Sequence, residues 1–177
     1  MADSGDRTTI IEGLERCRRD LVGLVESAEP RALRRRTRGT RWTNGQLLFH
    51  MVFGFMIVRT LLPLVRLLGR APEPVSRRFA AALDAVTPAF HVVNYLGPCG
   101  GALVFRGPRL ERQMSRTIDA LCRGLDLESV ESLQLAMPFP LGWDPYFSDT
   151  MSVRDLYAYG AQHFDHHRRQ LTLDPVD

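Results

Sequence analysis

Apolar residues recur at helical spacing through most of the chain. Ile10, Leu14, Cys17, Leu21, Leu24 and Ala28 step by four and three residues, the period of a helix that buries one stripe. They predict a first helix over residues 8–28, ended by Glu29-Pro30. Thr43-Asn-Gly-Gln46 fits a capping box, with the threonine hydroxyl capping an early N–H and the glutamine reaching back. A second helix therefore opens there and runs towards Gly69, with a kink or break expected near Pro63. After a proline-containing linker at 71–74, Phe79, Leu83, Val86 and Phe90 predict a helix over 76–95, bent or interrupted at Pro88. Gly97-Pro-Cys-Gly-Gly101 has the composition of a breaker. Pro108 opens the next helix, whose stripe is Leu110, Met114, Ile118, Leu121 and Leu125. Residues 137–150, rich in proline and aromatics, are expected to form an ordered loop. The final helix begins at Ser152, with Asp155 as its capping-box partner, and ends near Leu173 before Pro175. No convincing strand is found, so the expected fold class is all-α.

The second helix carries one side with His50, Leu47, Gly54, Ile57 and Leu61 and an opposite side with Arg59 and Arg66. Charged side chains prefer water, which turns His50 inward. The opposite side also holds Leu48, Val52 and Phe55, so both sides need cover, either from the 76–105 segment or from a second copy in a homodimer. Residues 47–65 are apolar enough to suggest a membrane span, but His50, Arg59 and Pro63 within them favour a buried helix and no membrane partner.

In the last helix, His163-Phe-Asp-His-His167 places two histidines one turn apart on one face, about 6 Å along the axis. At roughly 100° per residue, His163 and His167 fall within or beside the arc of Val153, Leu156, Tyr157, Gly160, Phe164 and Leu171. His166 falls outside it, towards solvent or a rim. An inward His50 and an inward pair at 163 and 167 can converge on one divalent metal, which would satisfy one nitrogen of each ring. The competing reading is a set of ordinary core histidines, and that reading is kept for His91, which has no partner at ligand spacing. A zinc protease does not fit, because Phe164 stands where the general-base glutamate of HExxH belongs. Three neutral ligands leave a position open for water or for a thiol held as thiolate. Among carboxylates, Glu12, Glu15 and Asp165 are unranked candidates for a general base, so catalytic residues stay unassigned.

Composition changes this picture little. The 177 residues are most simply one domain, 1–177, with 45% hydrophobic and 24% charged residues. The net charge of +3 is modest, and every basic residue is arginine, which removes lysine chemistry such as a Schiff base. Arg31, Arg34, Arg35, Arg36, Arg38 and Arg41 form a basic run read as a solvated connection rather than a nucleic-acid surface, since no nucleic-acid motif accompanies it. Cys17, Cys99 and Cys122 are widely spaced and form no disulfide framework, and the polar, acidic start is unlike a targeting peptide. Both point to a cytoplasmic protein. Pro138-Phe-Pro-Leu-Gly-Trp143 could wall a pocket or simply pack.

Two motifs carry a resemblance. Trp42-Thr-Asn-Gly-Gln-Leu-Leu-Phe-His50 and His163-Phe-Asp-His-His167-Arg-Arg-Gln170 resemble the DinB/YfiT-like superfamily, over roughly residues 8–173. In that family a tryptophan and a small polar residue open the second helix, a histidine follows two turns later, and the last helix carries HxxxH before Arg-x-Gln. The resemblance implies a four-helix bundle with His50, His163 and His167 as ligands of a divalent metal, zinc or alternatively nickel. It further implies a metal-dependent transferase or isomerase acting on a small-molecule substrate with a low-molecular-weight thiol of the mycothiol or bacillithiol type. The alternatives are a metal-dependent hydrolase and a non-enzymatic metal-binding or stress-response bundle. The 76–105 segment departs from the compact pattern as an extra helical insertion between helices two and three.

Overall fold

The computed structural model describes residues 2–173. Its helices are α1 (Ala2–Ser27), α2 (Asn44–Leu68), α3 (Glu73–Ala85), α4 (Thr87–Val104), α5 (Pro108–Leu127), α6 (Val130–Gln134) and α7 (Val153–Arg168), with a short 3-10 turn at Ala32–Arg34. The bundle is formed by α1, α2, α5 and α7: α2 packs on α5 and α7, and α1 closes the other side on the same two helices. This all-α bundle agrees with the helical periodicity. The expected stripe of α5 is buried at all five positions, and Leu14, Cys17 and Leu21 of α1 are buried against it in the same core.

Both capping boxes form. The Thr43 hydroxyl accepts from the Gln46 N–H and the Gln46 side chain accepts from the Thr43 N–H, and Ser152 and Asp155 repeat the arrangement at α7. These caps fix where the two histidine-bearing helices start. The last helix is shorter than expected, ending at Arg168. The expected stop at Pro175 lies outside the described residues.

Three expectations are corrected. Pro63 does not break α2, because it sits on an exposed face where the carbonyl it leaves unpaired meets water. The expected interruption of the 76–95 helix is present: it divides at Val86, two residues before Pro88, which falls in the first turn of α4, where a missing N–H costs nothing. The stretch 97–101 continues α4 instead of breaking it: the Phe49 ring lies where a Gly101 side chain would stand, so the glycine serves close packing. The third correction concerns strands. Ala136–Pro138 and Thr150–Ser152 pair antiparallel, too short for alternation to reveal them, and they close the 139–149 loop at its base.

Of the second side of α2, Phe55 is covered by Gly160 and Phe164 of α7, and the insertion covers a neighbouring strip. α4 packs on α2, and Phe49 stacks on Phe53 and Phe105. Its outer face leaves Val92, Val93, Leu96 and Leu103 exposed. Among the described residues, α2 alone is long and apolar enough to cross a membrane, and 56% of its most apolar window is buried inside the bundle. The arginine run lies in the connection before α2 and is largely exposed.

Candidate metal centre

The site is built where α2 crosses α7. Seven residues after its cap, α2 presents His50, and α7 presents His163 and His167 one turn apart. Gly54 makes their meeting feasible: a Cβ there would lie 2.5 Å from His163 Nδ1, so only a glycine leaves room for that ring. Gly160 plays the reciprocal part on α7, beneath the Phe55 ring.

The three imidazoles meet through their Nε2 atoms. His50 Nε2 lies 3.1 Å from His167 Nε2 and 3.2 Å from His163 Nε2, and the three ligand atoms lie within 4.8 Å of one another. Two imidazole nitrogens on one tetrahedral zinc, each about 2.0–2.1 Å from it, stand about 3.3 Å apart. The donor set thus fits a divalent ion: these three histidines could hold one. Burial keeps them neutral, as ligands must be. It pushes the His50 pKa down to about 3, with the neighbouring His167 adding to the shift. It lowers His163 well below the usual range, and His167 to about 4.

Surrounding groups orient the rings. His167 Nδ1 is 2.7 Å from Gln170 Oε1, a contact that places the proton on Nδ1 and leaves the Nε2 lone pair facing inward. The backbone around Gln170 is pinned in turn, as the Arg38 N–H donates to the Gln170 carbonyl and the Thr172 N–H donates to buried Asn44 Oδ1. Trp42 lies over His50, ring centroids 4.4 Å apart, and its indole N–H donates to the Tyr95 carbonyl of α4. The Nδ1 atoms of His50 and His163 are buried without a hydrogen-bond partner among the described residues.

The other histidines stay apart from this set. His166 sits at the rim, its Nδ1 3.2 Å from the Tyr146 hydroxyl, and His91 is exposed on α4. Of the carboxylates named from sequence, Glu15 pairs with Arg18 and Asp165 with Arg16, which engages both in ion pairs between helices or along α1. The carboxylate beside the site is Asp144, which sequence reading missed. It lies in the 139–149 loop, where no periodicity marks it, and its only signal was its place among the aromatics before α7. Asp144 Oδ2 is 3.9 Å from His163 Nε2 and accepts from the Tyr159 hydroxyl at 2.8 Å, while Oδ1 accepts from the Tyr146 N–H at 2.9 Å. Burial raises its pKa against those two donors.

His50, His163, Asp144 and Tyr159 line a cavity of about 40 Å³ together with Phe90 and Trp143. Those two rings stack in parallel with centroids 4.0 Å apart, and the Trp143 N–H donates to Thr87 Oγ1 at 3.0 Å. Of the two readings left open for the 138–143 segment, the pocket wall applies to Trp143, which lines the cavity. A roomier cavity of about 350 Å³ lies elsewhere, lined by Leu33, Leu48, Leu103 and Leu110 and by none of the histidines.

No curated protein matches this chain, and no solved structure does. The model of the DinB superfamily matches residues 13–171, a span that takes in the second half of α1, the whole of α2, α5 and α7 and every residue of the histidine cluster, and the chain belongs to that superfamily.

Proposed function

We propose that this protein is a cytoplasmic, divalent-metal-dependent transferase or isomerase that uses a low-molecular-weight thiol, with His50, His163 and His167 as the metal ligands. The observation that carries the reading is the convergence of three neutral Nε2 atoms within 4.8 Å at the head of a small cavity. A bound zinc or nickel ion would supply Lewis acidity, lowering the pKa of a thiol brought to the open position. The chain's own residues do the rest. Gln170 and Trp42 hold the ligand rings in orientation, and Phe90 and Trp143 exclude bulk water from the reacting centre. A thiol the size of a sugar conjugate needs that aromatic pair to part, because a cavity of about 40 Å³ admits only a few atoms. A homodimer through the exposed apolar face of α4 belongs to the same proposal, to be checked by sedimentation velocity.

The direct experiment is metal content by plasma mass spectrometry on tag-free protein, beside His50→Ala, His163→Ala and His167→Ala, with His166→Ala as control. The expected result is one divalent ion per chain, lost in the first three variants and kept in the fourth. Addition of small thiols to the cobalt-substituted protein should then perturb its visible spectrum. Silence across a thiol panel would remove the thiol part of the reading and leave metal-dependent hydrolysis.

A further inference from the structure

Asp144 is a half-buried carboxylate with no arginine partner among the described residues. Its side chain is 14% exposed, and the basic group nearest to it is the His163 ring, whose Nε2 lies 3.9 Å from Oδ2. Its hydrogen bonds come from neutral donors, the Tyr159 hydroxyl and the Tyr146 N–H. From α7 it is faced also by His166, and no arginine lies within ion-pair reach of it among the described residues. Elsewhere in this molecule carboxylates that leave water take an arginine, as Glu128 takes Arg66. A buried charge left without one is unfavourable unless something else offsets it.

On the other side of the cavity the imbalance is reversed. Three neutral imidazoles bring nitrogen donors and no negative charge, so a divalent ion held by them alone would bury two uncompensated positive charges. The Asp144 carboxylate and the His50 and His163 rings line the same cavity of about 40 Å³. Asp144 does not belong to the set of mutually close ligand atoms, so it acts from outside that set.

We propose that Asp144 is the fixed counter-charge of this centre: it tightens divalent-cation binding by His50, His163 and His167 and disfavours anionic ligands in the cavity beside them. The inference rests on the metal-centre reading above and adds a selectivity to it. A neutral protic molecule entering the cavity finds an acceptor in Asp144, whereas an aprotic anion meets a like charge. Tyr159 is the positioning residue, since its hydroxyl holds Oδ2 on the side of His163.

The test uses cobalt(II) as the metal and azide as the anion. Cobalt affinity is measured by chelator competition for the wild type, Asp144→Asn and Tyr159→Phe, and azide is titrated into each cobalt-loaded protein by visible absorption. Asp144→Asn keeps the shape of the side chain and removes its charge. Cobalt affinity is expected to fall about 10- to 100-fold, the range for groups that act on a metal from outside its ligand set. Azide should bind the same variant more tightly than it binds wild type. Tyr159→Phe should shift both quantities the same way by less. Cobalt and azide affinities unchanged in Asp144→Asn, with wild type binding cobalt normally, would overturn the inference and leave the metal centre intact. If Asp144→Asn loses its helical circular dichroism, Tyr159→Phe decides by the same two readouts. No cobalt binding by wild type would overturn the metal centre and this role together.

Discussion

His167 Nδ1 lies 2.7 Å from Gln170 Oε1, three residues further along the chain and just beyond the end of α7. The contact works because α7 stops at Arg168, which lets the chain turn and bring Gln170 back beside the ring. It sets the tautomer of His167. Replacing Gln170 by alanine removes the acceptor while the helix stays in place. Metal affinity is expected to fall about 10-fold, the lower end for loss of an orienting partner. Competition with a chromophoric chelator measures it, and an affinity equal to that of wild type would show that the ring needs no such partner.

How far the sequence revealed this arrangement depends on the kind of signal each residue carries. Thr43 with Gln46 and Ser152 with Asp155 are local devices, complete within four residues, so both helix starts were legible. The helical faces of His50, His163 and His167 followed from periodicity, and their convergence is what the α2–α7 packing delivers. Pro88 read correctly as an interruption, since its effect is local, whereas Gly101 misled: its helix-breaking tendency was visible, but the Phe49 ring that calls for a glycine there is a tertiary fact. Asp144 was illegible because a loop has no period, and its meaning comes from Tyr159 and His163 on a different element.

The depressed histidine pKa values give the metal-free protein a signed pH dependence. Unfolded histidine takes up a proton near 6.5, whereas folded His50 does so only near 3. Between those values the unfolded state binds the extra proton, so stability falls as pH drops below 6.5. At pH 5 the loss from His50 alone is about 2 kcal/mol. His163 and His167 shift in the same direction and add to it. Thermal unfolding of chelator-treated protein from pH 7.5 to 4.5 should show a steep decline in Tm that flattens in His50→Gln. Parallel curves for the two proteins would show that His50 is protonated in the native state.

Gly54 tests whether the cluster requires close approach of α2 and α7. An alanine Cβ would stand 2.5 Å from His163 Nδ1 and 2.6 Å from Cε1, so the ring must rotate or the helices separate. Either response moves Nε2 away from His50. Gly54→Ala is expected to lose about 1–3 kcal/mol of stability, the usual cost of overpacking, and to lose metal at the same time. Chemical denaturation and metal content, measured on the same preparation, check both. Full metal occupancy in this variant would mean that the site tolerates a ring position other than the one seen.

The Phe90–Trp143 stack makes a prediction about rates. The two rings join α4 to the 139–149 loop over the cavity, and the Trp143 N–H bond to Thr87 adds a second tie between the same elements. A stacked aromatic pair contributes about 0.5–1.5 kcal/mol beyond its buried area, which converts to about a 2- to 10-fold change in how often the two elements part. Trp143→Ala should therefore speed extraction of the metal by excess chelator by about that factor or more, since the hydrogen bond is lost as well. Equilibrium affinity should change little, because neither ring belongs to the ligand set. Thr87→Val removes only the hydrogen bond and should give a smaller acceleration. Stopped-flow absorbance of the cobalt-loaded protein against chelator resolves the two variants. If extraction is equally fast in wild type and Trp143→Ala, the metal leaves by another route, and the opening between α4 and the loop is not the passage by which a thiol would enter.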